Sequence, residues 1–111
     1  MVKIINLTPH DINFVGATID GDIVFPSAGI ARAEEITEQL DAIWDGYNRF
    51  PVVKKKFGRV SNLPEQQKNT FYIVSVIVAN ALPERSDLLI VSETVRNEKG
   101  QIMGCKSFAH V

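Results

Sequence analysis

The sequence has few of the residues from which metal sites and covalent catalysis are built. Its 111 residues include one cysteine, Cys105, and two histidines, His10 and His110. A transition-metal site needs several thiol, imidazole or carboxylate ligands at fixed spacing, and a nucleophilic cysteine needs a nearby base that a third group orients. Cys105 and His110 are five residues apart, a spacing without catalytic meaning. We therefore expect no metal, no bound cofactor and no enzymatic activity, and we interpret Cys105 as a core residue on a strand.

An excess of basic charge and a long apolar run are also missing. The formal net charge is -1, whereas nucleic-acid-binding proteins usually carry a basic excess. The most apolar stretch, 76–82, is interrupted by Asn80 and is far shorter than the roughly 20 residues of a membrane-spanning helix. The first residues lack the apolar region of a signal peptide, and a lone cysteine is typical of a reducing compartment. We predict a cytoplasmic protein that binds neither DNA nor RNA polymers and no membrane.

The apolar runs that are present are short and separated by turn residues, which is typical of strands. Asp20-Gly21 lies between apolar residues and predicts a hairpin, and the four-residue loop 97–100 predicts a second one. The sequence predicts a single compact ligand-binding domain over 1–111, of the α+β class, with a mostly antiparallel β-sheet and one or two short helices. The individual strands are expected at 2–7, 11–15, 23–25, 51–58, 70–74, 87–91, 94–96 and 101–108.

Two segments have helical features. Residues 75–82 predict a short helix with Ser75 near its N-cap position, ending before Pro83. Residues 30–44 are ambiguous, because a strand could open the segment, whereas its apolar positions also fit a helical stripe. We predict a strand first and then a short helix over about 37–44, which Asp45-Gly46 ends.

Three features are of a type found at binding sites. Phe71 could stack on a base, and the helix that begins near Ser75 could hold phosphate with its free amides; alternatively, Phe71 is a core residue and Ser75 only a cap. Asn80, polar among apolar neighbours, could read a base edge, cross a subunit interface or lie on the exposed helix face. An arginine can bind phosphate through two N–H groups of its planar guanidinium, although each arginine taken singly can also be a solvated surface residue. The sequence has five of them: Arg32, Arg49, Arg59, Arg85 and Arg96.

Five stretches together resemble a group of small phage and prophage proteins, the first family of Thoeris anti-defence proteins. They span nearly the whole chain: Ile-Ile-Asn-Leu-Thr-Pro-His at 4–10, Pro-Val-Val with Phe-Gly-Arg-Val within 51–60, Thr-Phe-Tyr-Ile-Val-Ser at 70–75, Ala-Leu-Pro-Glu-Arg-Ser-Asp-Leu at 81–88, and Val-Arg-Asn-Glu-Lys-Gly with Gly-Cys within 95–105. Two features differ from the expected pattern: the connection over 38–50 is longer, and Val91-Ser92 stands in place of a Pro-Gly turn.

The resemblance implies a sponge that sequesters a cyclic ADP-ribose immune signal without cleaving it. It further implies a homo-oligomer, with hexamers, that holds its small cyclic nucleotide ligand between subunits in the host cytoplasm. On this basis Arg96 and Phe71 are expected to contact the ligand, and Asn80 and Arg59 are further candidates. Together with Ser75 and Arg85 they form the predicted ligand-binding set.

Two other functions remain open. The protein could be a phage protein-interaction module or structural accessory protein whose aromatic and apolar faces make only subunit contacts. It could also be a small hydrolase or another nucleotide-processing enzyme, but no clustered acid, base or metal ligands support that alternative.

Overall fold

The computed structural model describes residues 1–19 and 21–111, which form eight strands and one short helix. These elements are β1 (Lys3–Asn6), β2 (Ile12–Thr18), β3 (Gly21–Phe25), β4 (Arg32–Trp44), β5 (Arg49–Ser61), β6 (Thr70–Ile73), α1 (Val76–Ala81), β7 (Leu88–Arg96) and β8 (Ile102–Ala109). The predicted combination of a sheet with short helical structure is confirmed, with a larger share of strand than expected. The helix that opens at Ser75 is the only one among the described residues.

Six strands form the body of the protein in the order β1-β6-β7-β8-β2-β3. The hairpins β2–β3 and β7–β8 are antiparallel, as the two turn signals predicted, although Asp20 of the first signal lies outside the described residues. The pairs β1–β6, β6–β7 and β2–β8 are parallel. Parallel neighbours cannot be joined by a tight turn, and α1 supplies the crossover between β6 and β7. The body is therefore a mixed sheet.

The sheet curls until its two edge strands approach each other. Asn6 at the end of β1 forms an isolated bridge with Ser27, just after β3. One core cluster, built on Leu7, Tyr72, Val74, Val78 and Leu88, packs the sheet against α1. The other cluster lies inside the curl. It consists of the buried residues Ile12, Ile73 and Cys105, and three phenylalanine rings pack against them: Phe14, Phe25 and Phe108. Burial of Cys105 confirms its interpretation as a core residue.

The predicted helix over 37–44 is wrong, because β4 continues through it as the first strand of a long hairpin with β5. We call this two-stranded hairpin, residues 32–61, the arm. Ile36 and Leu40 are four residues apart, a spacing that places side chains on one face of a helix and also on one face of a strand. Leu40 and Ile43 are three apart, but a bulge between them adds a residue to β4. The apolar spacing therefore fits both structures, and pairing with β5 decides between them.

Gly104 allows β8 to approach β2 more closely than any other residue would. A Cβ atom at this position would collide with the carbonyl oxygen of Asn13. Gly58, on β5, is also in a strand, but an added Cβ there would meet the Cδ1 of Ile36 and a carboxylate oxygen of Glu34, each at 3.1 Å. Those side-chain ends can move, whereas the backbone of Asn13 is fixed by its strand.

We predict that Gly104→Ala lowers the free energy of unfolding by about 2–3 kcal/mol, in the range that overpacking costs, because β2 and β8 must separate. Urea denaturation followed by circular dichroism measures this loss. Gly58→Ala is the matched control and should cost clearly less. Equal losses in the two variants would contradict the role given to the β2–β8 approach.

Candidate functional site

A cleft of about 310 Å³ opens where the parallel strands β1 and β6 end. Ligand-binding clefts in proteins typically span about 300–1,000 Å³, so this one is large enough for a small molecule. Segments far apart in the sequence form its walls: 8–13, 74–76, 90–91 and 102–104. The cleft therefore exists only after β2, β7 and β8 have assembled with the segment that joins β6 to α1.

Asn6 holds the loop between β1 and β2 that forms one wall of the cleft. Its side chain is 1% exposed. The Nδ2 group donates to the carbonyl oxygens of His10, at 2.8 Å, and Phe25, at 2.9 Å. Its Oδ1 accepts from the backbone amide of Thr8, at 3.0 Å, and from the Thr8 hydroxyl, at 2.7 Å. One buried carboxamide thus fixes the positions of Thr8 and His10 in the wall.

The walls are mainly apolar, and several of their side chains are exposed although they belong to strands or to α1. Val76 is 52% exposed, Ile102 57% and Met103 56%. Gly104 forms part of the same wall without a side chain. An apolar surface of this kind is suited to the face of an aromatic ring, and a thioether such as that of Met103 makes favourable contacts with such rings.

Asn13 supplies an unused hydrogen-bond acceptor. It lines the cleft, and its Oδ1 is buried without a partner among the described residues. Its Nδ2 donates to the carboxylate of Asp22, at 3.2 Å. Asp22 also accepts from the backbone amide of Gly16, and these two hydrogen bonds, that of Gly16 first, lower the pKa of the Asp22 carboxyl. The side chain of Asn13 is thereby anchored through its amide nitrogen, and its buried oxygen has no partner among the described residues.

Two of the predicted ligand-binding residues belong to this region. Ser75 lines the cleft and caps α1, with its hydroxyl accepting from the amide of Val78 at 3.3 Å. Arg96 is the register partner of Ile102, which lines the cleft. The guanidinium of Arg96 is exposed and donates to the carbonyl oxygen of Gly100 at 2.7 Å. Arg96 therefore stands at the margin of the cleft, at the end of the β7–β8 hairpin.

Three other predicted residues lie elsewhere. Phe71 is half-buried on β6, on the side of the sheet that Ile73 shares. Asn80 is exposed on α1, and Arg59 is exposed on β5 within the arm. None of the three lines the cleft. A single chain therefore does not gather the predicted set in one place.

Arg85 is engaged in holding the loop before β6 to the start of β7. Its Nε donates to Oδ1 of Asp87 at 2.9 Å, and its Nη2 donates to the carbonyl oxygen of Pro64 at 3.0 Å. Hydrogen bonding to Asp87 raises the pKa of Arg85. The side chain of Asp87 is 3% exposed, and the guanidinium of Arg85 is its ion-pair partner.

Sequence reasoning did not select Asn13, Ile102 or Met103. Asn13 stands between Ile12 and Phe14 in an alternating strand, which is the pattern of an ordinary solvent-facing residue. Ile102 and Met103 follow a predicted turn, and nothing in their spacing marks them as exposed. No signal in the sequence distinguishes these positions, because the cleft depends on which strands become neighbours.

The cysteine of the chain lies outside the cleft, whereas His10 and Asp11 line it. Burial raises the pKa of the Cys105 thiol, and Cys105 does not line the cleft. Asp11 does line it, but one of its carboxylate oxygens accepts from the backbone amide of Ser27 at 2.9 Å. In the described part of the chain, no three His, Cys, Asp or Glu residues are grouped so as to hold a metal ion.

Over residues 1–19 and 21–111, no helix has the length and apolar character needed to cross a membrane.

Comparison with known proteins finds no matching family model, no matching curated protein and no matching solved structure. The fold and the geometry of the cleft therefore have to be interpreted from this chain alone.

We predict that Arg85→Met lowers the free energy of unfolding by about 3 kcal/mol, the scale of breaking a buried ion pair, because the Asp87 carboxylate is left without its partner. Urea denaturation followed by circular dichroism measures the change. The double variant Arg85→Met with Asp87→Leu removes both charges and should recover part of the loss. If Arg85→Met retains the stability of the parent protein, Arg85 is available for a ligand.

Proposed function

We infer that the protein binds and sequesters a cyclic ADP-ribose-type signalling nucleotide without cleaving it, as a phage-encoded anti-defence sponge in the host cytoplasm. Two lines of argument support the proposal. The first is the resemblance of the five stretches between residues 4 and 105. The second is the cleft, an open site with apolar walls and a few polar groups.

The observation that carries the binding role is the apolar cleft, one of whose lining residues, Asn13, has a buried side-chain oxygen without a partner among the described residues. A buried acceptor without a hydrogen bond costs about 1–3 kcal/mol, so a ligand that donates to it is favoured. The amino group of adenine is such a donor, and asparagine pairs with that edge of adenine in other proteins. The apolar walls of the cleft would receive the faces of the base.

The phosphates of the ligand require positive charge that the cleft itself supplies poorly. No lysine or arginine is among its described lining residues, which include the carboxylate of Asp11. Arg96 stands at the margin and is the first candidate to hold a phosphate. Further cations would come from a neighbouring subunit, which agrees with the homo-oligomer, and the hexamer, that the resemblance implies.

A second candidate function is that of a protein-interaction or structural accessory module. The arm favours it, because apolar side chains are exposed along both of its strands, among them Ile43 on β4 and Phe50 on β5. In this alternative the cleft holds no nucleotide and the arm makes the functional contacts.

Thermal denaturation with cyclic ADP-ribose isomers tests the sponge. We expect one isomer to stabilise the protein, by about 2.7 kcal/mol when present at 100 times its dissociation constant. Chromatography of the heated sample should recover the ligand intact. An opened or shortened product would contradict sequestration, and no stabilisation by any isomer would favour the interaction module.

We predict that Asn13→Ala weakens binding of the stabilising isomer by about tenfold, the equivalent of one hydrogen bond of about 1.4 kcal/mol. Isothermal titration calorimetry measures the affinity. Asp22→Ala is the matched control, because it removes the same Asn13–Asp22 hydrogen bond while keeping the Asn13 oxygen. If both variants lose affinity equally, the effect comes from the position of β2 and the oxygen has no direct role.

A further inference from the structure

Asp11 is the only acidic residue among the described residues that line the cleft, and no lysine or arginine lies beside it there. It belongs to the segment that joins β1 to β2. Neither of the two ion pairs in the described part of the chain involves its carboxylate. A phosphate placed inside the cleft would therefore meet a like charge without a permanent cation to offset it.

The side chain of Asp11 is held in place by the residues that follow β3. Its Oδ1 accepts from the backbone amide of Ser27 at 2.9 Å. The hydroxyl of Ser27 donates to the carbonyl oxygen of Thr8 at 2.6 Å, and Ser27 also forms the isolated bridge with Asn6. No other described residue donates to this carboxylate. Because a carboxylate has about four acceptor positions on its two oxygens, Asp11 keeps the capacity to accept from a ligand.

Other polar side chains of the cleft already make hydrogen bonds within the protein. The hydroxyl of Thr8 donates to the buried carboxamide that fixes the loop, and the hydroxyl of Ser75 caps α1. The amide nitrogen of Asn13 donates to a carboxylate on β3, and its oxygen is buried. The ring of His10 and the carboxylate of Asp11 remain. Of these two groups, only the carboxylate can accept from two neighbouring hydroxyl groups at once.

A ribose presents the hydrogen-bond donors that such a carboxylate recognises. Its 2′ and 3′ hydroxyl groups are adjacent, and an aspartate or glutamate accepts from ribose hydroxyls in many nucleotide-binding proteins. The apolar walls, which include Ile102 and Met103, are suited to the face of the attached base. The cleft volume of about 310 Å³ is near the lower limit for ligand clefts. It therefore fits a nucleoside better than a whole cyclic ADP-ribose.

We propose that Asp11 is the specificity-determining residue of the cleft. Its carboxylate accepts hydrogen bonds from the ribose hydroxyls of a ribonucleoside, and its charge keeps phosphate outside the cleft. The identity of this ligand rests on the proposed function, and Asp11 decides which part of the cyclic nucleotide enters. A free ribonucleoside without any phosphate should consequently bind to the same cleft.

Isothermal titration calorimetry of the purified full chain with adenosine and with 2′,3′-dideoxyadenosine tests the proposal. We expect adenosine to bind at least about tenfold more tightly, because the dideoxynucleoside lacks both donors and a hydrogen bond to a charged group is worth at least this factor. Inorganic phosphate at about 10 mM should change the affinity for adenosine by less than about twofold, because phosphate is excluded from the cleft. Competition by phosphate would contradict that exclusion.

Asp11→Asn keeps an oxygen for the amide of Ser27 but removes the charge and the second acceptor. We expect this variant to bind adenosine about tenfold more weakly and to bind both nucleosides with nearly equal affinity. The loss of preference for the ribose is a result that a merely structural role of Asp11 would not produce. Asp41→Asn is the matched control, since it removes the same charge from an exposed residue of the arm. It should leave both affinities unchanged within about twofold.

Absence of adenosine binding up to about 10 mM overturns the proposal, and so does equal binding of the two nucleosides by the parent protein. Both results are obtained without a variant, so they decide the question even if circular dichroism shows that Asp11→Asn loses strand content. A folded Asp11→Asn protein that keeps the preference for adenosine overturns it as well. The cyclic ADP-ribose isomers are titrated in parallel. An isomer that binds when adenosine does not leaves the sponge standing, whereas adenosine binding without binding of any isomer refutes only the sponge.

Discussion

The candidate site depends on one buried carboxamide. The four hydrogen bonds of Asn6 join the end of β1 to the loop at Thr8 and His10 and to Phe25 at the end of β3. A loop has no regular ladder to satisfy its backbone groups, and buried groups left unpaired are costly. Asn6 supplies those partners from within the core. It therefore fixes the wall of the cleft and brings the two edges of the curled sheet together.

The body buries most of its apolar side chains, whereas the arm leaves many of its apolar side chains exposed. The body buries its apolar residues in two clusters on opposite sides of one sheet, with α1 covering one side and the curl of the sheet enclosing the other. The arm has only two strands and no layer beyond Ala33 and Val60. Its ion pair between Lys56 and Glu38, at 2.8 Å, is half exposed and contributes little. The apolar side chains of the arm beyond Ala33 and Val60 are therefore left exposed, among them Ile43 and Phe50.

Short sequence patterns correctly predicted those elements whose conformation depends on residues close to one another in the chain. Ser75 caps α1 at the expected position because a serine hydroxyl accepts from an amide three residues ahead. The loop 97–100 forms its hairpin because Asn97 and Gly100 satisfy a tight turn. The helix predicted over 37–44 does not form. The spacing of Ile36, Leu40 and Ile43 fits one face of a helix and, because β4 has a bulge between Leu40 and Ile43, it also fits one face of a strand. Pairing with β5 involves residues outside the segment 37–44, so the apolar spacing within that segment does not reveal it.

The sequence by itself determined a strand-rich chain, the capped helix, the buried thiol at Cys105 and the scarcity of residues for metal or nucleophilic chemistry. These follow from composition and from interactions between residues close in the chain. Only the tertiary structure decided that β1, β6 and β7 run parallel, that Asn13 and Met103 meet in one cleft, and that Phe71, Asn80 and Arg59 lie apart. The reason is that a binding site combines residues from strands paired over long sequence separations, and those pairings are set by the packing of the whole sheet.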